Sequence, residues 1–324
     1  MSIDSIAGVL EKENALKKFT NFALTVLILN ILVILWGAVV RATGSGAGCG
    51  SHWPLCNGEV IPLQPEIETL IEFSHRLTSG LAFLAVTGLV FWARKLYAPG
   101  NPVRRFALFS FVFILIESLI GAGLVLFELV GQNASVARAT VVSVHLLNTL
   151  VLLAFLALTW WRSRFPQAKE QIGVQRFPSK SGGAIFALFI LLIGVSGAIA
   201  ALGNTLFPSQ SLVEGIQKDL DQASHFLIRL RVFHPVFAIF GAVVVLTILY
   251  RAMEQDGRLL VRRLGWMVIG LGILQLVAGF ITLVLLAPVW MQVVHLLIAD
   301  LLWVTFVIFI DSKRHSYIAD ESNR

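Results

Sequence analysis

Four histidines, His75, His145, His234 and His295, fall inside long apolar stretches of the chain, one on every second stretch. An ionisable side chain inside a membrane-length apolar run is costly, and where one occurs it usually serves a function. A lone histidine is commonly satisfied by a neighbouring helix, but four at matched positions ask for a shared explanation. Imidazoles presented by facing helices can supply both axial ligands of a haem iron, so four could serve two haems. All four sit within about two turns of the same end of their helix. That places two haems side by side near one membrane face. A conduit carrying electrons across the bilayer would instead need two histidines about four turns apart on one helix, and no stretch has that pattern. His52 and His315 lie outside the apolar stretches and His225 at the edge of one without a counterpart, so these three are left out.

Glu72 lies three residues before His75, on the same helical face; the equivalent place before His234 holds Arg231. An acid beside only one haem would make that site the reacting one, unless Glu72 is simply a solvated residue at the span end. Arg76, Arg229 and Arg231 stand beside the ligand positions. Arginine pairs bidentately with carboxylates, which suits haem propionates; snorkelling to the headgroups would place these arginines equally well.

The elements that must position these residues follow from composition. The chain is 57% apolar and 14% charged with a mean hydropathy of +0.82, against roughly 25% charged in a soluble domain. About 20 apolar residues make a span, and the runs are 19–40, 70–93, 104–128, 138–161, 182–204, 226–250, 263–287 and 289–311. Only Pro288 separates the last two, predicting a tight hairpin. The first run is too long for a signal-peptide core, and no small-residue cleavage site follows it.

Lys and Arg sort by side: 19 of the 25 fall in the N-terminus, the 2–3, 4–5 and 6–7 loops and the tail. The positive-inside rule then puts both termini in the cytoplasm of a cell-membrane protein, with the loops 41–70 and 205–225 outside. The net charge of +6 follows from these loops; with no basic cluster interleaved with aromatics, nucleic acid is not the partner. The partner of the surface is the lipid bilayer.

The chain also repeats itself. Ser143-Val-His145-Leu-Leu matches Val293-Val-His295-Leu-Leu, and Glu117-x3-Gly121 matches Gln275-x3-Gly279. The expected architecture is all-α and polytopic: eight transmembrane helices as two tandem four-helix bundles related by a pseudo-two-fold axis along the membrane normal. The halves are 1–165 and 181–313.

Cys49 and Cys56, the only cysteines, lie in the expected outside loop, where a disulfide can form and an exposed one tends to be labile. A zinc site with His52 as third ligand is the alternative, for which no fourth ligand is evident.

Together these features resemble the haem A synthase family, Cox15/CtaA. The resemblance rests on Arg41-Ala-Thr-Gly-Ser-Gly with Cys49, Trp53-Pro54 and Cys56, on Glu72-Phe-Ser-His75-Arg76, on His145, on Arg231-Val-Phe-His234-Pro235 and on His295. It covers essentially the whole chain. It implies oxidation of the C8 methyl of haem O to the formyl group of haem A. It further implies a haem b cofactor held by His234 and His295, beside which Arg231 and Arg76 remain the cofactor-binding candidates read from the residues above. Substrate haem O falls to His75 and His145, catalysis to Glu72, and a loop disulfide to Cys49 and Cys56. Haem O synthase, an electron donor and a second copy of the chain are the protein partners it suggests. The pattern departs at Glu117, where glutamine is expected as at Gln275; Asp300 has no role in it either.

Two other classes compete. A di-haem electron-transfer subunit needs four histidines but not Glu72. A parallel-repeat transporter would use Glu117 and Asp300, and would show helix breaks near mid-membrane; none is expected in spans 2 and 6.

Overall fold

The computed structural model describes residues 3–165, 169–170, 180–254 and 256–316; of the basic residues counted above, Arg176 and Arg324 lie outside them. Eight helical segments are long and apolar enough to cross a membrane: Leu10–Ala42, Ile67–Leu96, Pro102–Leu126, Val136–Arg164, Leu188–Leu206, Phe226–Glu254, Leu259–Val284 and Val289–Arg314. The protein is a multi-pass membrane protein of helices, whose only strands among the described residues are the two-residue pair Lys169–Glu170 and His315–Ser316.

Helix α1 (Ile3–Ala42) leads into a short 3-10 turn, followed by α2 (Ile67–Leu96), α3 (Pro102–Leu126) and α4 (Val136–Arg164). The second half holds α5 (Lys180–Leu206), the loop helix α6 (Leu212–Leu220), α7 (Phe226–Arg231), α8 (Phe233–Glu254), α9 (Leu259–Val284) and α10 (Val289–Arg314). Local chemistry fixes the ends. Asn101 caps α3 by accepting from the Val103 N–H at 2.9 Å, with Pro102 in the first turn, where its missing N–H costs nothing. Helices α3 and α9 stop in the same way. The Leu129 N–H reaches back to Leu124 O at 2.8 Å, and the Ala287 N–H to Thr282 O at 2.7 Å, across residues with positive φ, a Schellman-type closure. In the second case Pro288 then starts α10, giving the tight hairpin expected from sequence.

Span 6 carries an interruption near its start, at Val232, between α7 and α8. Pro235 has no N–H to offer the Arg231 carbonyl, and its ring crowds that oxygen. The break lies beside His234, not at mid-membrane.

In the first half α1 packs on α2, α2 on α3, α3 on α4 and α4 back on α1. In the second, α5 packs on α7 and α8, α8 on α9 and α9 on α10, and the halves meet through α1 and α4 against α5 and α10. The largest apolar core gathers around the fully buried Phe19, Leu89, Leu153, Leu156 and Phe309, toward the ends away from the cysteine loop. Close-packed aliphatic and aromatic side chains there hold the bundle together. At the histidine ends the buried clusters are small: Ala139 with Leu202 and Leu227, and Ala278 with Met291 and Ile298. The tightly packed end positions the helices and the looser end is left for the site.

Candidate functional site

His234 on α8 and His295 on α10 face each other with ring centres 6.4 Å apart and ring planes at 87°. Imidazole–metal bonds run about 2.0–2.1 Å; with roughly 1 Å more to each ring centre, two rings sharing one metal stand on the order of 6 Å apart. The pair therefore has the separation a bis-imidazole iron requires. Gln275 on α9 places its side-chain nitrogen 3.1 Å from His295 Nε2, and Ser196 on α5 lies 3.3 Å from His234 Nδ1. His295 Nδ1 is buried without a hydrogen-bond partner.

In the other half His75 on α2 and His145 on α4 are close enough to interact electrostatically. His75 Nδ1 is buried without a hydrogen-bond partner. His145 Nδ1 lies 3.2 Å from Glu117 Oε1 on α3, without the alignment of a hydrogen bond. Glu117 is held in turn by Asn148 Nδ2 at 2.5 Å and by the Thr149 hydroxyl. The departure noted in the sequence is thus a carboxylate bonded to a neighbouring helix and lying beside His145.

Both halves place a glycine against the first histidine of the pair. A methyl group at Gly37 on α1 would come within 3.0 Å of His75 Cε1, and one at Gly197 on α5 within 3.0 Å of His234 Cε1. Gly279 on α9 stands in the same relation to His295, at 3.1 Å. The absence of a side chain is what lets each ring lie against the helix. The sequence gave no signal for Gly37 and Gly197; only the contact singles them out.

Glu72 is 3% exposed and fully engaged. Its Oε2 accepts the Cys49 backbone N–H at 2.8 Å, and its Oε1 is paired with Arg76. Arg76 Nη1 donates to the carbonyls of His52 and Leu55 at 2.6 and 2.7 Å. Cys49 and Cys56 form a disulfide, which removes the zinc alternative. The loop closed by that disulfide is held on α2 by the Glu72–Arg76 pair. Arg231 has a parallel task by other means. Its Nε donates to Asp219 of α6 at 2.5 Å, and its remaining nitrogens reach Asn204, Ser209 and the carbonyls of Phe207 and Gly215. Each half thus has an arginine–carboxylate pair pinning its loop, but only the first draws the carboxylate from the histidine's own helix. Asp219 is 12 residues away from Arg231 and was not legible in the pattern.

His225 caps α7 through the Leu227 N–H, and His315 lies against Arg162, both away from the pairs. Asp300 is 1% exposed with one oxygen unpartnered; nothing in this arrangement explains it.

Curated relatives agree on haem chemistry and differ in the step they are named for. The chain is 47% identical over 299 residues to a Thermus thermophilus protein named Protoheme IX farnesyltransferase, covering 91% of this chain and 48% of that protein. It is 36% identical over 147 residues to a Heme A synthase of Exiguobacterium sibiricum, covering 45% of this chain and 48% of the relative. With a Heme A synthase of Halalkalibacterium halodurans the identity is 44% over 128 residues, 39% of this chain and 42% of the relative. The chain spans about half the length of the curated relatives it matches. The family model of the cytochrome oxidase assembly proteins, COX15-CtaA, matches residues 20–307, and the chain belongs to that family.

Proposed function

We propose that the chain is a haem A synthase, oxidising the C8 methyl of haem O to the formyl group of haem A. The observation that carries the reading is the facing pair His234–His295 at 6.4 Å, with His75 and His145 at the corresponding places of the first half. In this reading His234 and His295 hold haem b, and His75 and His145 hold substrate haem O. Haem b supplies one-electron redox chemistry beside the substrate. The like contacts of Gly37 and Gly197, and the pairing of α1 and α4 with α5 and α10, support two bundles related by a pseudo-two-fold axis. The charge asymmetry of the loops supports a cell-membrane protein with both termini cytoplasmic.

Glu72 is the group placed to move protons. Its oxygens accept from Cys49 and Arg76, yet a carboxylate has about four lone-pair sites, so each oxygen retains capacity for a proton. Two successive hydroxylations, methyl to alcohol and alcohol to hydrate, would each consume an external oxidant of the dioxygen class with two electrons and two protons; Glu72 would hand on those protons and relay one more as the hydrate loses water to the aldehyde. Arg76 and Arg231 flank the ligand histidines, where they hold the two loops over the sites. The reaction requires an electron donor and a supplier of haem O. The name of the Thermus relatives, farnesyl transfer to protohaem, describes the class of reaction that makes such a substrate.

The test is haem extraction from cells with and without the gene. Loss should remove haem A and accumulate haem O; haem A at the parental level without the gene would overturn the reading.

A further inference from the structure

Two arginines at the cysteine-loop end carry no carboxylate. Arg41 ends α1 and reaches across the seam between the halves: its Nη1 donates to the Ala201 carbonyl at 2.8 Å and to the Thr205 hydroxyl at 2.9 Å, and its Nη2 to the Gln292 side-chain oxygen at 2.9 Å. Arg138, in the first turn of α4, is 4% exposed. Its Nη1 donates to the carbonyls of Gly131 and Asn133 at 2.6 and 2.8 Å. Among the described residues its Nε is buried without an acceptor and its side-chain bonds are both made by Nη1, so the Nε–Nη2 side of the guanidinium, which would grip an oxyanion with two parallel bonds, is free. Neither arginine makes an ion pair among the described residues, and the helices that carry them, α1 and α4, pack on each other. A buried charge such as that of Arg138 is unfavourable unless an anion joins it.

Their placement says which anion. Arg138 precedes His145 by seven residues, two turns along one face of α4. Arg41 follows Gly37, the residue against His75, by one turn of α1. Both arginines thus lie at the cysteine-loop end of their helices, Arg138 above His145 and Arg41 at the seam, where its bonds reach α5 and α10. Arg76, the arginine nearest the His75–His145 site in sequence, is already spent on Glu72 and two loop carbonyls.

We propose that Arg41 and Arg138 form an oxyanion site that takes a propionate carboxylate of the haem bound between His75 and His145. Arg138 grips the carboxylate through Nε and Nη2, and Arg41 supplies its remaining donors from the seam. The inference rests on the haem reading above and goes beyond it, because neither family membership nor the histidines assign these residues.

The test compares haem b with its dimethyl ester, which lacks the two negative charges, as probes added to purified protein in phosphatidylcholine discs and followed by the Soret band. A charge-assisted pair of this kind corresponds to about ten- to a hundredfold in affinity, so the parent should prefer the free acid by that factor. Arg138→Gln and, separately, Arg41→Gln should reduce the preference toward unity, while the low-spin signal of the His234–His295 haem reports that the fold is intact. Equal affinity of the parent for acid and ester, with the Soret change present, would overturn the site and leave the haem reading standing. A preference abolished by phosphatidylglycerol or inorganic phosphate would make the occupant a phosphate and overturn the propionate assignment. No Soret change with either probe would bring down the haem reading and the inference together.

Discussion

The Cys49 N–H donates to Glu72 Oε2 across 2.8 Å, so the buried carboxylate of the first half is bonded to one end of the disulfide loop. The proposed acid–base work and the loop anchoring therefore meet in one side chain, and substitutions can separate them. Glu72→Gln keeps an oxygen that can still accept from Cys49 while losing the proton-carrying group. Conversion of haem O should fall by about 10²- to 10⁴-fold, with haem b content retained. Arg76→Gln removes the bonds to His52 and Leu55 instead. It should raise the reactivity of Cys49 and Cys56 toward labelling after mild reduction more than it lowers conversion. Haem extraction and thiol labelling of the same preparations check both. Parental conversion in Glu72→Gln would remove Glu72 from the mechanism.

The glycines at the rings offer a second test. Gly197→Val places branched carbons where a single methyl would already lie 3.0 Å from His234 Cε1. The His234 ring has to move, and the low-spin haem b signal should be lost much as in His234→Leu or His295→Leu. Gly37→Val should act only on the first half, leaving the haem b spectrum and lowering conversion of haem O. Optical and electron paramagnetic resonance spectra distinguish the two patterns. An identical effect of both valines would show that the sites are not separate.

At the opposite end Asp256 receives Arg258 at 2.7 Å and Lys313 at 3.0 Å, joining the α8–α9 loop to the end of α10. Burial pushes its carboxyl up, but the hydrogen bonds from Arg258 and Lys313 outweigh burial and hold it below the ordinary aspartate value of 3.8. A depressed folded value contributes stability above the unfolded value, and this is lost as pH falls through the folded one. Asp256→Asn should thus lower the melting temperature at neutral pH. The difference from the parent should shrink only on acidification below about 3.8. Melting curves in detergent at several pH values measure it.

What was legible depended on how local the signal was. The spans and the Pro288 hairpin came from apolar runs and one imino acid, which act over a few residues. The interruption at Val232 escaped because a proline near a helix start is usually tolerated; here Pro235 falls where α7 would otherwise run on into α8. Arg76 and Arg231 looked alike in sequence, both basic neighbours of a ligand position. Their partners, Glu72 four residues away and Asp219 across a loop, are set by folding. Gly37 and Gly197 gave no signal because glycines are common in membrane helices. Only the rings lying on them mark these two.

Glu117 separates the two halves most sharply. Its Oε1 lies 3.2 Å from His145 Nδ1, while its counterpart in the repeat, Gln275, offers His295 a neutral amide. A carboxylate behind a ligand imidazole fixes the ring's orientation and makes the ligand more basic. Asn148 at 2.5 Å and the Thr149 hydroxyl keep the carboxylate in place, so a turn of the His145 ring alone would bring its Nδ1 into line with Glu117. Glu117→Gln makes the first half resemble the second. The side-chain volume is nearly unchanged and Thr149 still finds an oxygen, so folding and the haem b signal should persist. Loss of a partner behind a metal ligand typically costs about 10- to 100-fold in affinity or activity. Haem bound at His75 and His145 should show that loss, together with a higher reduction potential, because a less basic ligand favours the oxidised iron less. The His234–His295 haem should keep its potential in the same titration. A redox titration in which both potentials stayed at their parental values, with haem affinity unchanged, would reduce Glu117 to a bond between α3 and α4.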